Sequence, residues 1–243
     1  MNIHRATRLG ASREASGFSL VEMAIVLAIV ALLLGGLLPT LSGQIEQQRR
    51  NETRKQMDEI KEALIGYAII NGALPCPTTT TDPDNASHGM ADPASAVTCT
   101  APASEGYLPW KSLGVAETDA WGIRRSRADS PWAGYWRYRV DPAFASAVPF
   151  TMATSTSTTL LIQDNAGKAL TSTSERPVAI IFSTGKNLAA DGQNSGFNAI
   201  YQSDTPRADD KNTQGVNEEF DDMMIWVSRP QLISRMVMAG KLP

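Results

Sequence analysis

From Met23 to Leu38 every residue is apolar or glycine, and from Phe18 to Leu41 the only charge is Glu22. An α-helix rises about 1.5 Å per residue, so about 20 such residues span a bilayer core. Segment 18–41 is therefore expected to be a transmembrane helix. Gly35, Gly36 and Pro39 make a weak spot where it is expected to kink or loosen. From Gln44 to Asn71 the chain turns polar but keeps a narrow apolar stripe. Met57, Ile60, Leu64 and Tyr67 follow i, i+3, i+7, i+10 spacing, with Ala63 and Ala68 beside them. This predicts an amphipathic continuation over 42–72. One helix of about 50 residues is expected, half in the bilayer and half laid on a domain, its stripe forming core rather than a cofactor site. Gly72, Pro75 and Pro77 end it.

The remainder, 73–243, is long enough for one globular domain with its own core. Thr78 to Ala103 reads as loop, and Gly106-Tyr107-Leu108-Pro109-Trp110 returns to the core. Asp119-Ala120-Trp121-Gly122 reads as a turn and Tyr135 to Val140 as a strand of period two. Phe150 to Ala153 follows. Thr158 to Gln163 and Lys168 to Thr171 flank Asp164-Asn165-Ala166-Gly167, which predicts a hairpin. Pro177 to Ser183 is a largely buried strand, Asp221 to Ser228 is the last strand, and Gln231 to Ala239 is a short helix. The fold class expected is α+β: a long N-terminal helix packed on an antiparallel β-sheet domain.

Met1 to Gly17 is a short basic leader, with Arg5, Arg8 and Arg13 against Glu14. The positive-inside rule keeps it cytoplasmic and sends the domain to the other side. No clear small-x-small cleavage site follows the apolar run, unlike an ordinary secretory signal. An acid near the start of a spanning helix costs roughly 1–3 kcal/mol on insertion scales, so Glu22 calls for a partner within the membrane.

The stretch Gly17-Phe18-Ser19-Leu20-Val21-Glu22, with the apolar run behind it, resembles the N-terminus of type IV pilins and type II secretion pseudopilins. The resemblance covers about the first 55 residues. It implies cleavage by a prepilin peptidase after Gly17, methylation of the new N-terminal Phe18, and use of Glu22 to pair with the N-terminal amine of a neighbouring subunit. Pro39 falls where many pilins carry a helix-loosening proline. The alternative is a plain signal anchor with an incidental Glu22. The second half of the chain is similar to pseudopilins as well. Asp119-Ala120-Trp121-Gly122 with Trp136-Arg137-Tyr138-Arg139 looks like the family's Asp-Pro-Trp-Gly…Tyr-x-Tyr segment, with alanine for proline and an Arg-rich insertion (Arg124, Arg125, Arg127) between.

Composition fits an exported protein. The net charge is −3, and removing the leader takes away three Arg and one Glu, leaving −5. Such a chain lacks the basic footprint of a sequence-independent nucleic-acid binder. Cys76 and Cys99 are the only cysteines. Both lie on the non-cytoplasmic side, where a disulfide is favoured over a metal pair or a redox site; neither cysteine has the CxxC spacing. Such a closure stabilises by roughly 3 kcal/mol.

The pseudopilin resemblance also touches a metal. Ser183-Thr184-Gly185-Lys186-Asn187 to Asp191-Gly192, then Asp221-Asp222 before Trp226, looks like the calcium-holding loop of type II major pseudopilins, here lengthened at Gly192 to Phe220. Asn187, Asp191, Asp221 and Asp222 are oxygen donors of the kind calcium takes, 6–8 at a time. The bland reading makes Asp191-Gly192 a turn and Asp221-Asp222 the solvated start of a strand. Catalysis has little support: the histidines are His4 and His88 alone, no Gly-x-Ser-x-Gly elbow is present, and Gly185-Lys186-Asn187 is no phosphate loop. Trp110, Trp132, Tyr135, Trp136 and Tyr138 are enough for a binding face but fit a sheet core better; Arg124, Arg125 and Arg127 fit a solvated loop better than a DNA or partner contact.

The function expected is structural, not enzymatic: a pilin-like subunit of the bacterial inner membrane. Its leader is cytoplasmic and its domain periplasmic, and it joins other pilins or pseudopilins in a filament through an ATP-driven, inner-membrane assembly platform. The large domain and long final loop suggest a minor subunit of a type IV pilus or type II secretion pseudopilus; a DNA-uptake pilus and an adhesin carried on a pilin stalk remain open. The rival is a membrane-anchored periplasmic binding protein or enzyme.

Overall fold

The computed structural model describes residues 19–78, 80, 84–92, 99, 105–122, 134–146, 148–196, 199–203, 207–211 and 217–242, without the side chains of 34–41, 105, 207–211 and 217–219. Gly17, Phe18, Arg124, Arg125, Arg127 and Trp132 lie outside the described residues. Two compact units are present, Met1–Gln47 and Gln48–Pro243.

Helix α1 is Leu20–Asn71, 52 residues. In the first unit its apolar side chains from Leu20 to Leu33 are exposed. Among the described residues no helix is long and apolar enough to cross a membrane. The span expected at 18–41 continues through 34–41, whose side chains are not described.

In the second unit the stripe on α1 is buried. Met57, Ile60, Leu64, Ile65 and Ala68 have almost no exposure, and they share one apolar cluster with Leu108, Tyr138, Val140, Ile181, Val227, Leu232 and Met236. Tyr67, expected in the stripe, is half-buried, and Ile65 takes its share. That follows from i+3/i+4 spacing: Leu64, Ile65 and Ala68 share a face. The helix stops where Gly72 adopts φ +74° and its N–H reaches the Ala68 carbonyl at 2.8 Å. This is a left-handed C-terminal cap that glycine accepts without strain.

Four antiparallel strands form the main sheet: β1 (Glu105–Tyr107), β2 (Arg137–Val140), β4 (Pro177–Ser183) and β8 (Met223–Ser228), in the order β1-β2-β4-β8. Tyr138, Ile181 and Ile225 stand in register, as do Arg137, Phe182 and Met224, so the two faces of the sheet alternate. All seven residues of β4 are buried. Ala179 and Ile181 join the cluster of the α1 stripe, while Ile180 and Phe182 join a second cluster with Leu160, Ile162 and Tyr201. A strand covered on both faces reads as the continuous apolar run seen in the sequence.

The second cluster is where the expected topology needs correcting. Of the hairpin at 158–171 the turn forms: the Asp164 carboxylate accepts from the Ala166 and Lys168 N–H groups at 3.0 and 2.8 Å. The returning strand shrinks to one bridge, Gln163 with Ala169. Strand β3 (Leu161–Gln163) instead pairs in parallel with β5 (Ile200–Gln202), inside the stretch read as one long loop. Leu160, Ile162 and Tyr201 thereby cover Ile180 and Phe182, a burial no local turn signal announces. That loop also holds the antiparallel pair β6 (Arg207–Lys211) and β7 (Asn217–Phe220).

Two short helices complete the unit, α2 (Trp110–Leu113) and α3 (Arg229–Met238). The Ser228 hydroxyl accepts from the Gln231 N–H at the start of α3, an N-cap that moves the helix two residues earlier than expected. Arg235 of α3 pairs with Glu62 of α1. Cys76 and Cys99 are disulfide-bonded, with Cα atoms 5.6 Å apart. Trp110, Tyr135, Trp136 and Tyr138 are buried, so these aromatics are core and not an exposed binding face.

Candidate functional site

Each unit holds one group of the expected site residues. In the first, Ser19 and Glu22 make a capping box at the start of α1. The Ser19 N–H donates to Glu22 Oε2 at 2.9 Å, and the Glu22 N–H donates to Ser19 Oγ at 3.2 Å. An acidic side chain in the first turn also complements the positive end of the helix dipole. Glu22 thus has local hydrogen bonds that offset part of the cost of placing a carboxylate at an apolar helix start.

In the second unit the loop after β4 meets the junction between β7 and β8. Asp191, Asp221 and Asp222 are all buried, and one carboxylate oxygen from each lies within 4.8 Å of the others. The chain builds this cluster through backbone donors. Asp221 Oδ2 accepts from the Lys186 and Asn187 N–H groups at 2.7 and 3.0 Å. Asp222 Oδ2 accepts from the Asp191 N–H and Asn194 Nδ2, both at 2.9 Å. Asp191 Oδ2 accepts from the Asp221 N–H at 2.9 Å, and its Oδ1 accepts from Asn187 Nδ2 at 2.9 Å. Left-handed residues bend the loop around the acids: Gly185 at φ +57°, Leu188 at φ +61° and Gly192 at φ +51°. A Cβ on Gly185 would collide with Asp221 Oδ1. A non-glycine residue at such a φ costs of order 1 kcal/mol, strain that recurs at functional sites.

Electrostatically the cluster is incomplete. Asp221 Oδ1 and Asp222 Oδ1 are buried and accept no hydrogen bond among the described residues. Burial, with the Asp191 charge beside it, pushes the Asp221 carboxyl up to about 6 against the opposing Asn187 and Lys186 N–H groups. Burial likewise raises Asp222 well above the ordinary carboxylate range, against the hydrogen bonds from Asn194 and Asp191. Such a set has two neutralising solutions, protons or a cation. Calcium–oxygen distances of about 2.3–2.6 Å place two ligands on one ion no more than about 5 Å apart. The three carboxylates meet that limit, and the orphaned Oδ1 atoms of Asp221 and Asp222 are oxygen donors of the kind calcium takes.

The structure brings together Asp191, Asp221 and Asp222 and places Asn187 beside them as a donor. Its Nδ2 faces Asp191, while its Oδ1 accepts from the Ala189 N–H at 2.8 Å. Asn194 and Gln202, buried next to the acids, were not readable in advance. Both lie in the stretch taken as loop, where an isolated amide carries no periodic signal. Asp119 was readable only as a turn residue. Its buried carboxylate accepts from Ser183 Oγ at 2.5 Å and from the Trp121 and Gly122 N–H groups at 3.0 and 2.7 Å, tying that turn to the end of β4. Burial raises its pKa against those three bonds.

A model of the prokaryotic N-terminal methylation motif matches residues 12–38. The matched stretch holds Gly17, Phe18, Glu22 and the apolar run to Leu38. The chain thus carries the signature of type IV pilins and pseudopilins, which implies a membrane-anchored N-terminus, processing by prepilin peptidase and assembly with other pilins. Comparison with curated proteins and with solved structures gave no match.

Proposed function

We propose that this chain is a minor pilin-like subunit of a type IV pilus or type II secretion pseudopilus. The observation that carries the reading is the match over 12–38, with glycine, phenylalanine and glutamate at the spacing that processing and assembly need. The leader stays in the cytoplasm, segment 18–41 spans the inner membrane once, and the domain reaches the periplasm. Prepilin peptidase cuts after Gly17 and Phe18 is methylated. Glu22 then pairs with the N-terminal amine of the adjacent subunit, which removes an uncompensated charge from the apolar filament core. The role is structural and not catalytic. For a membrane-anchored binding protein or enzyme, Glu22→Ala would leave function intact. For a filament subunit, Glu22→Ala abolishes recovery in sheared filaments while the amount in the inner membrane stays the same.

A second element concerns the acid cluster. Asp191, Asp221 and Asp222 hold a calcium ion, with Asn187 keeping the Asp191 side chain in place. The two orphaned Oδ1 atoms support this. The ion would neutralise the buried acids and fasten the loop 184–195 to the start of β8. Calorimetric titration of the EDTA-treated chain with calcium tests it; absence of saturable binding refutes it.

A further inference from the structure

We propose that Asn194 is a positioning residue that couples cation occupancy of the Asp191–Asp221–Asp222 cluster to the β3–β5 pair. The proposal rests on the calcium reading above. Asn194 lies in the 3₁₀ turn Gly192–Ser195 and is 1% exposed. Its backbone N–H donates to the Asp191 carbonyl at 2.9 Å. Its side chain faces two ways. Nδ2 donates to Asp222 Oδ2 at 2.9 Å and to the Gln202 carbonyl at 3.0 Å, and Oδ1 accepts from the Gln202 N–H at 2.8 Å. One amide therefore bonds a cluster carboxylate and both backbone groups of the last residue of β5.

The chemistry of a primary amide makes this a directional link. It offers donors on one atom and an acceptor on the other. Only the observed orientation serves Asp222 and Gln202 together; the flipped one sets an oxygen against two acceptors and a donor against a donor. Whatever fixes the Asp222 carboxylate fixes this orientation. Gln202 in turn pairs with Gln163, whose carbonyl accepts from the Ser203 N–H at 2.9 Å. Tyr201, one residue earlier, is fully buried in the second core against Phe182, ring centroids 6.0 Å apart. With the cluster empty, Asp222 carries an orphaned oxygen and its neighbours repel it, so the carboxylate is held less firmly. With a cation bound, Asp222 is fixed, Asn194 is locked, and β5 is clamped to β3. The turn Gly192–Ser195 and strand β5 are then parts of the fold whose order depends on the ion.

The test is amide hydrogen exchange on the mature full-length chain in detergent, with calcium chloride or EDTA, for the wild type and Asn194→Ala. The coupling predicts that calcium slows exchange at 161–163 and 200–203 about tenfold or more in the wild type. In Asn194→Ala calcium still binds, more weakly, without that slowing. The wild type also carries a reporter independent of the variant's folding: calcium shifts the Asn194 side-chain NH₂ resonances and slows their exchange. Calcium binding with unchanged exchange at 161–163 and 200–203, an equal gain in Asn194→Ala, or an unmoved Asn194 NH₂ overturns the coupling and leaves the calcium reading intact. No binding to the wild type overturns both.

Discussion

In EDTA this domain should lose stability as pH rises across a range where most domains gain it. Asp221 is the group to watch. Its carboxyl moves from 3.8 to about 6 on folding, chiefly through burial. At about 1.4 kcal/mol per pH unit a shift of that size corresponds to about 3 kcal/mol, and its coupling to Asp191 lowers the share that Asp221 alone carries to about 1–2 kcal/mol. The sign follows from linkage. The folded state holds the Asp221 proton more tightly than the unfolded chain does. The stabilising contribution is therefore complete below 3.8 and is lost as pH rises through about 6. Asp222, also raised by burial, acts in the same direction. Other carboxylates work the opposite way, so the quantity to read is the difference between wild type and Asp221→Asn, which cancels them. Thermal unfolding in EDTA at pH 4.5 and pH 7 should show the wild type losing about 1–2 kcal/mol relative to the variant over that interval. For a domain of this size that is a relative fall in Tm of about 3–6 °C. Calcium at pH 7 should restore the wild type and leave the variant nearly unmoved. A wild type and variant with parallel pH dependence in EDTA would refute the reasoning, because Asp221 would then hold its proton no more tightly when folded.

Two further expectations come from single contacts. Gly185→Ala sets a Cβ against Asp221 Oδ1 at a left-handed φ, so it should cost about 1–3 kcal/mol in urea unfolding and weaken calcium binding; unchanged stability would contradict the close approach. Cys99→Ser opens the staple and should lower stability by about 3 kcal/mol, with one thiol newly available to alkylation after unfolding; equal stability would mean that the tether does not constrain the unfolded chain.

How much of this was legible depended on the range of the signal. The long helix and its buried stripe were plain, because Met57, Ile60 and Leu64 repeat at helical spacing and Gly72 closes the last turn. Strand β4 was plain as an uninterrupted apolar run. The parallel pairing of Leu161–Gln163 with Ile200–Gln202 was not, since the partners are joined by neither a turn nor a pattern. Only the need to cover Ile180 and Phe182 brings them together. The acid cluster was half legible. Asp191, Asp221 and Asp222 stand out as oxygen donors, but their burial, which sets them apart from solvated acids, depends on the loop folding over them from Lys186 to Asn194. The aromatic residues were legible as well: Trp110, Tyr135 and Trp136 fit a sheet core better than a binding face in the sequence, and they are core in the fold.

The central claim is that this chain enters a filament by the pilin route, and the mature N-terminus tests it most directly. Intact mass would be measured on protein from membranes of cells with and without prepilin peptidase. The account predicts a chain running from methylated Phe18 to Pro243 that appears only when the peptidase is present. A chain that still begins at Met1, or one cut after Leu41, would contradict it and return this protein to the class of tethered periplasmic domains.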